Sequence, residues 1–227
     1  MNNQIIKFNR QKLEVVCRDL VDQSVINEIF KYREYRSAES VIKSAVSPII
    51  DVGAHAGFFS LYARALNPLV KIYALEPEPK NLENLKINLT NNQVGDVKII
   101  NGALGAESGE RQLFISPDSH NHSLIPQKGF KSLKTKVWSL SDFCRAEKIK
   151  RVALLKLDIE GGEYEILENL TAKDYAAVGA VILEYHLLPG KSEKSLIDRL
   201  KQNGFGVQKF PSRFDRKLGI VWGARKH

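Results

Sequence analysis

Cysteine is nearly absent from this chain, which has two, Cys17 and Cys144, in 227 residues. They lie far apart without metal-ligand spacing, so the sequence describes neither a disulfide-stapled scaffold nor a zinc site; two reduced thiols are expected. No apolar run approaches the roughly 18–20 residues needed to cross a bilayer. The opening residues, MNNQIIKFNR, lack the long apolar stretch of a secretion signal. A cytoplasmic location is the expectation from these absences. Internal repeats and low-complexity tracts are missing too, which excludes solenoids and linker-like segments.

What is present is ordinary for a folded chain: 43% apolar and 26% charged residues. The length suits one domain with an N-terminal extension. The expected division is 1–46, a hairpin plus a helix, and 47–227, the main domain. The formal charge of +8 suits either an anionic partner, such as RNA or a phosphorylated glycan, or a merely solubilising surface.

The stretch PIIDVGAHAGFFS, Pro48 to Ser60, organises the rest. Ile49, Ile50 and Val52 read as a strand buried on both faces. Gly53 and Gly57 bracket a tight turn, and Phe58, Phe59, Leu61 and Tyr62 open a helix that Asn67-Pro68 ends. Strand, glycine turn and helix together make an anion site at a helix N-terminus. A dinucleotide fingerprint would be G-x-G-x-x-G, whereas the spacing here is G-x-x-x-G with Asp51 two residues before it. That arrangement suits a carboxylate at the turn and an amine near Asp51. The next strand, Val70 to Leu75, ends in Glu76, placed to accept from a ribose diol. An α-amino acid head plus a ribose describes S-adenosylmethionine; a nucleotide-free α/β turn is the plainer alternative.

In chain order, residues 1–20 alternate as a hairpin turning near Asn9-Arg10, and Val21 to Ser44 has a helical pattern. Tyr32, Arg33, Tyr35 and Arg36 either line the mouth of the site or cap the sheet. Pro77 and Pro79 punctuate a helix carrying Leu82, Leu85 and Leu89. Val97 to Ile100 is a third strand, followed by Asn101-Gly102-Ala103, where small residues suit either an adenine or an ordinary turn. Arg111–Ile115 and Thr135–Trp138 read as extra strands around a loop, 116–132, holding His120, Asn121, His122 and Ser123, the candidate lid. Ser139 starts a helix with an S-x-x-D cap. Val152 to Leu157 and Ala180 to Leu183 are the fourth and fifth strands, ending in Asp158-Ile159-Glu160 and Glu184-Tyr185-His186. After a helix over 192–202, Gly206–Phe210 and Ile220–Ala224 form a terminal hairpin. This order describes an α/β, Rossmann-like class I methyltransferase sheet: seven strands, mostly parallel, helices on both faces, closed by a C-terminal antiparallel hairpin.

IIDVGAHAGFFSL, YALEPEPKNLENLKINLTNN, INGALG, LLKLDIEGGEYEIL and VILEYH follow the motifs of the FkbM-type S-adenosylmethionine-dependent methyltransferases, and the chain resembles that family from about Ile49 to His186. The D-x-E-G-x-E box is the most specific part. The resemblance implies that Asp51, Gly53 and Gly57 form the cofactor turn, that Glu76 binds the ribose, and that Asp158, Glu160 and Glu163 form an acidic box. It also implies O-methylation of a hydroxyl on a sugar, glycan or natural product. His55 departs from the family, many of whose members carry Asn. The expected cofactor contacts are Asp51, Gly53, Ala54, His55, Gly57, Phe58, Glu76, Pro77, Gly102, Ala103 and Asp158.

Methyl transfer to a hydroxyl needs in-line positioning and removal of a proton. Ligands in open α/β sheets bind outside the carboxyl ends of strands, so Asp158 is the first candidate base and His186 the second, with Glu160 beside them. The plainer alternatives are a helix N-cap for Asp158, helix-dipole acids for Glu160 and Glu163, and a hydrogen-bonded strand-end histidine for His186. The alternative to these roles is a divalent ion held by Asp158, Glu184 and His186, but no further ligand is evident and no metal is expected. Two rival functions stand beside this one. Lys128, Lys131, Lys134, Lys136, Arg145, Lys148, Lys150 and Arg151 would suit an RNA-modifying enzyme. Against it, neither an aromatic-proline tetrad nor a catalytic cysteine follows the fourth strand. The other rival is a non-catalytic sensor of the cofactor. The expected partner is a small-molecule or glycan hydroxyl acceptor, ahead of nucleic acid, with no membrane span and no oligomeric state specified.

Overall fold

The computed structural model describes residues 2–116, 121–126, 128–213 and 215–225. β1 (Asn2–Phe8) and β2 (Gln11–Cys17) form the expected antiparallel hairpin, turning on Asn9 and Arg10, both in the left-handed region. α1 (Leu20–Ile26) is capped by Asp19, which accepts from the amides of Val21 and Asp22. The single helix expected over Val21–Ser44 is broken. A π-helical turn spans Asn27–Lys31, Arg33 is left-handed (φ 55°), a 3-10 turn spans Glu34–Ala38, and α2 (Glu39–Ser44) completes the segment. A residue at positive φ cannot continue a right-handed helix. The break turns Glu28, Glu34 and Tyr35 toward the central cavity.

From Ile49 the chain alternates strand and helix: β3 (Ile49–Val52), α3 (Phe58–Leu66), β4 (Ile72–Glu76), α4 (Pro79–Asn91) and β5 (Val97–Asn101). Next come β6 (Ala103–Leu104), β7 (Gly109–Ile115), β8 (Lys131–Trp138), α5 (Leu140–Ala146) and β9 (Val152–Leu157). Ser139 caps α5 by accepting from the Asp142 amide, as the S-x-x-D pattern predicts. The chain closes with α6 (Glu163–Asn169), α7 (Ala172–Ala177), β10 (Val178–His186), α8 (Glu193–Gln202), β11 (Phe205–Pro211) and β12 (Leu218–Arg225).

The main sheet has seven strands in the order β11-β12-β10-β9-β3-β4-β5. β10, β9, β3, β4 and β5 are parallel, and β12 and β11 run antiparallel. β6, β8 and β7 form a separate three-stranded sheet. Alternation along the strands sends Ile49, Ile72 and Ala74 to one core and Ile50, Tyr73 and Leu75 to the other. The N-terminal hairpin packs into the first of these through Leu13, Val15 and Cys17. Its exposed strand edge is answered by side chains of α4: the amides of Val16 and Glu14 donate to Asn88 (2.7 Å) and Asn92 (2.8 Å). Among the described residues, no helix is long and apolar enough to cross a membrane.

Chain progression reverses direction between β3 and β9, so the carboxyl ends of β3, β4, β9 and β10 open into one crevice, where ligands of such sheets bind.

Candidate functional site

A cavity of about 770 Å³ occupies that crevice, within the range of small-molecule sites. One side is the glycine turn. Gly53 sits at φ +73°, and a Cβ there would lie 1.9 Å from the Asp158 carbonyl oxygen. Only glycine fits. His55 is also left-handed, at φ +50°, a region in which Asn and His are enriched over other residues. A histidine therefore suits this backbone position. The His55 amide donates to Glu76 Oε2 at 2.7 Å and the Glu78 amide to Oε1 at 2.9 Å. Burial pushes the Glu76 carboxyl up to about 7 despite these two bonds.

The N-terminal segment reaches the same turn. Arg18 bonds both carboxylate oxygens of buried Asp22, the side chain of Asn81 and the His55 ring (2.9 Å). Burial works against the Asp22 anion, but the Arg18 bonds prevail and hold its pKa below the usual value.

Asp51 lies elsewhere than its expected place beside a ligand amine. It is fully buried behind the turn, where it accepts from Ser60 Oγ (2.8 Å) and pairs with Lys156 Nζ (3.1 Å). It does not line the cavity and reaches the turn through Lys156, which donates to the Gly53 carbonyl.

The opposite side of the cavity is acidic. Asp158 follows β9 and receives the Tyr35 hydroxyl at 3.3 Å, with Lys156 Nζ 3.7 Å away. Asp158 is not a helix cap, because α6 begins at Glu163 with Gly162 in the cap position. Glu160 lies before that helix, at φ +56°, so the helix-dipole explanation fails for it as well. Glu163 does stand in the first turn, where it accepts from the Ile159 amide at 2.8 Å. His186 is held between Glu160 (3.3 Å) and Glu163 (3.5 Å). Burial opposes its charge, yet the Glu163 bond and the nearby carboxylates push it up to about 10. That direction favours the protonated imidazole, held between two carboxyl groups, over a free base. Burial raises Glu160 to about 8 and Glu184 well above the carboxylate range, and Glu34 to about 7. So many carboxylates around one imidazolium share protons as a group.

Of the expected cofactor residues, Gly53, His55, Glu76, Pro77, Ala103 and Asp158 line the cavity, as do Glu160 and His186. Asp51 in β3, Ala54 and Gly57 in the turn, Phe58 at the start of α3 and Gly102 after β5 do not line it. His122 lines it and accepts from the Ser116 amide through Nδ1 at 3.1 Å, while His120 lies outside the described residues. For a metal ion, Asp158, Glu160 and His186 can each bring one ligand atom within 4.8 Å of the others. Glu160 replaces the expected Glu184 in that set, and His186 would have to lose its proton first. Sequence reasoning missed Glu28, Glu34 and Lys156. A single lysine inside the apolar run VALLKL was the available signal for the last.

The sheet order, the glycine turn at its switch point and the acid ending β4 define a class I methyltransferase fold. The chain belongs to the methyltransferase FkbM domain family, whose description matches residues 51–207. It is 28% identical over 168 residues to methyltransferase sdnD of Sordaria araneosa, a match covering 60% of this chain and 65% of that one. It is 25% identical over 215 residues to the 31-O-demethyl-FK506 methyltransferase FkbM of Streptomyces tacrolimicus, covering 78% and 82%. The hexuronic acid methyltransferase AglP of Haloferax volcanii is 25% identical over 168 residues, covering 71% of this chain and 67% of AglP. Among solved structures, the N-terminal domain of human METTL16 in complex with S-adenosylhomocysteine superposes with a TM-score of 0.52 at 13% identity, covering 87% of this chain and 70% of that chain. That likeness is one of fold alone.

Proposed function

We propose that the protein transfers a methyl group from S-adenosylmethionine to a hydroxyl of a sugar-like or natural-product-like acceptor. The fit to the cofactor rests on the turn: Gly53 leaves the backbone bare, and Glu76 presents a carboxylate at the end of β4 where a ribose diol could donate. When bound, the cofactor supplies a methyl group on an already activated sulfonium. The chain's own residues then have two tasks, to align the acceptor oxygen and to receive its proton. Asp158 is suited to both, as a half-buried carboxylate steadied by the Tyr35 hydroxyl at the carboxyl end of β9. A positioned base is worth ~10²–10⁴-fold in rate. His186, already protonated, balances the surrounding acids rather than taking the proton.

The observation that carries the choice of acceptor is the scarcity of cations and abundance of carboxyl groups in the cavity wall. The chain is basic overall, yet Glu28, Glu34, Asp158, Glu160 and Glu184 face the cavity, and Lys217 is the single lysine or arginine among its described lining residues. A phosphate backbone finds one lysine to pair with there, whereas a neutral polyol meets carboxyl groups that accept hydrogen bonds and, where burial keeps them protonated, donate them as well. The basic residues outside are partly engaged: Lys134 pairs with Glu110, Arg145 with Asp142, and Lys136 lies over the Trp138 ring. The sequence similarity to AglP and to the FK506-directed methyltransferase supports the same choice.

The test is methyl transfer from labelled S-adenosylmethionine to a panel of hydroxylated sugars, polyketides and total RNA. Transfer to a small hydroxylated compound, little changed between about 50 and 200 mM salt, is expected. Transfer to RNA alone, falling steeply over that range, would overturn the reading.

A further inference from the structure

Lys156 takes no part in the cavity wall, yet it lies between the two halves of the site. Its side chain is 3% exposed. The ammonium donates to the Gly53 carbonyl at 2.7 Å and the Val52 carbonyl at 3.3 Å, and stands 3.1 Å from Asp51 and 3.7 Å from Asp158. Of the three donors an ammonium has, two meet these carbonyls, while Asp51 and Asp158 face the charge as ion-pair partners. A second tie joins the same segments, because the Asp158 amide donates to the Val52 carbonyl at 3.3 Å. Burying an ammonium is costly, and apolar residues of similar volume often serve stability as well or better. Leu154, Leu155 and Leu157 show what β9 otherwise selects. A cation here calls for a reason other than stability. The charges of Asp51, then Asp158, overcome burial and keep Lys156 protonated.

We propose that Lys156 is a positioning residue that fixes the cofactor turn and Asp158 in one register, so that methyl donor and acceptor acid approach as a unit. The inference rests on the cofactor reading above. One ammonium serves both sides: it fixes the Val52–Gly53 carbonyls from behind the turn, and it places a positive charge beside the carboxylate that meets the acceptor. Misplacement by about 1 Å can cost ~10²-fold in rate, so a link of this kind would act on turnover more than on acceptor binding.

The test avoids an unpaired buried charge by using Asp51→Asn/Lys156→Met, a neutral pair of similar volume. Expected results are a cooperative melt, S-adenosylhomocysteine affinity weakened about tenfold by calorimetry, kcat lowered about 10²-fold, and acceptor KM changed less than about threefold. Adding Asp158→Asn to this variant should then lower kcat by much less than it does in the wild type, since coupled sites are non-additive. If the pair does not fold, Lys156→Gln, which keeps an N–H for the Gly53 carbonyl, takes the same measurements. Wild-type affinity and kcat in either folded variant, or full additivity with Asp158→Asn, would overturn the positioning role. Failure of the wild type to bind S-adenosylhomocysteine would instead bring down the cofactor reading, and this inference with it.

Discussion

Replacing Gly53 with alanine is expected to damage this protein more than the same change at a glycine of equal backbone conformation. Gly53 and Gly190 have nearly the same φ, +73° and +76°. Each alanine therefore carries a similar left-handed cost, about 1–2 kcal/mol. Their surroundings differ: nothing lies within 4 Å of a Cβ at Gly190, whereas one at Gly53 would stand 1.9 Å from the Asp158 carbonyl oxygen. That contact is with backbone, so relief requires β9 and the glycine turn to part. Overpacking of this kind costs about 1–3 kcal/mol, giving ~2–5 kcal/mol in all for Gly53→Ala. At ~2–4 °C per kcal/mol for a chain of this size, its melting temperature should fall by ~4–20 °C and that of Gly190→Ala by ~2–8 °C. Differential scanning calorimetry of the two variants, with cofactor titration of each, measures both consequences. Equal melting shifts together with undiminished cofactor affinity in Gly53→Ala would refute the close packing of the turn on Asp158.

Other outcomes follow from the same geometry. Glu76→Ala should weaken cofactor binding by ~1.5–3 kcal/mol, the value of hydrogen bonds to a charged group, or roughly 10- to 150-fold. Because burial raises Glu76 to about 7, wild-type affinity should strengthen as pH rises from 6 to 8 and the carboxylate forms; Glu76→Gln should flatten that profile. Asp158→Asn should keep the fold while turnover drops ~10²–10⁴-fold, and near-full turnover would remove Asp158 from the chemistry. His186 is held up to about 10 in the fold against an ordinary value of ~6.5. The folded state thus binds its proton more tightly, and the resulting stabilisation is complete below pH ~6.5 and lost as pH rises toward 10. The melting-temperature gap between wild type and His186→Gln should accordingly narrow from pH 6 to pH 10, and a widening gap would contradict the charged assignment.

The parts of this protein that could be read from sequence are those in which chemistry and spacing are local. The buried run before Gly53, the acid ending the next strand and the alternation of strand and helix stand at their expected places because each depends on a few consecutive residues. The break at Arg33 was hidden, since neither glycine nor proline marks it and the apolar spacing of Val25, Ile29 and Ile42 continues through it. Asp51 looked available for a ligand because strand alternation does not say which neighbour will neutralise a buried acid; Lys156, on a strand roughly a hundred residues later, does. The helix-cap alternative for Asp158 falls because the intervening Gly161–Gly162 turn delays α6 to Glu163, a delay that spacing alone did not reveal. For His186 the choice between base and hydrogen-bonded strand-end histidine depends on Glu160 and Glu163, which come near it through the parallel pairing of β9 with β10.

The central claim is that the crevice beside Gly53 and Glu76 holds an adenosyl amino acid and not a dinucleotide. Calorimetric titration of the wild-type protein with S-adenosylhomocysteine and, separately, with NAD tests it most directly. The account predicts one-to-one binding of S-adenosylhomocysteine, weakened in Glu76→Ala, with no saturable heat from NAD. Saturable binding of NAD, with none of S-adenosylhomocysteine, would contradict it.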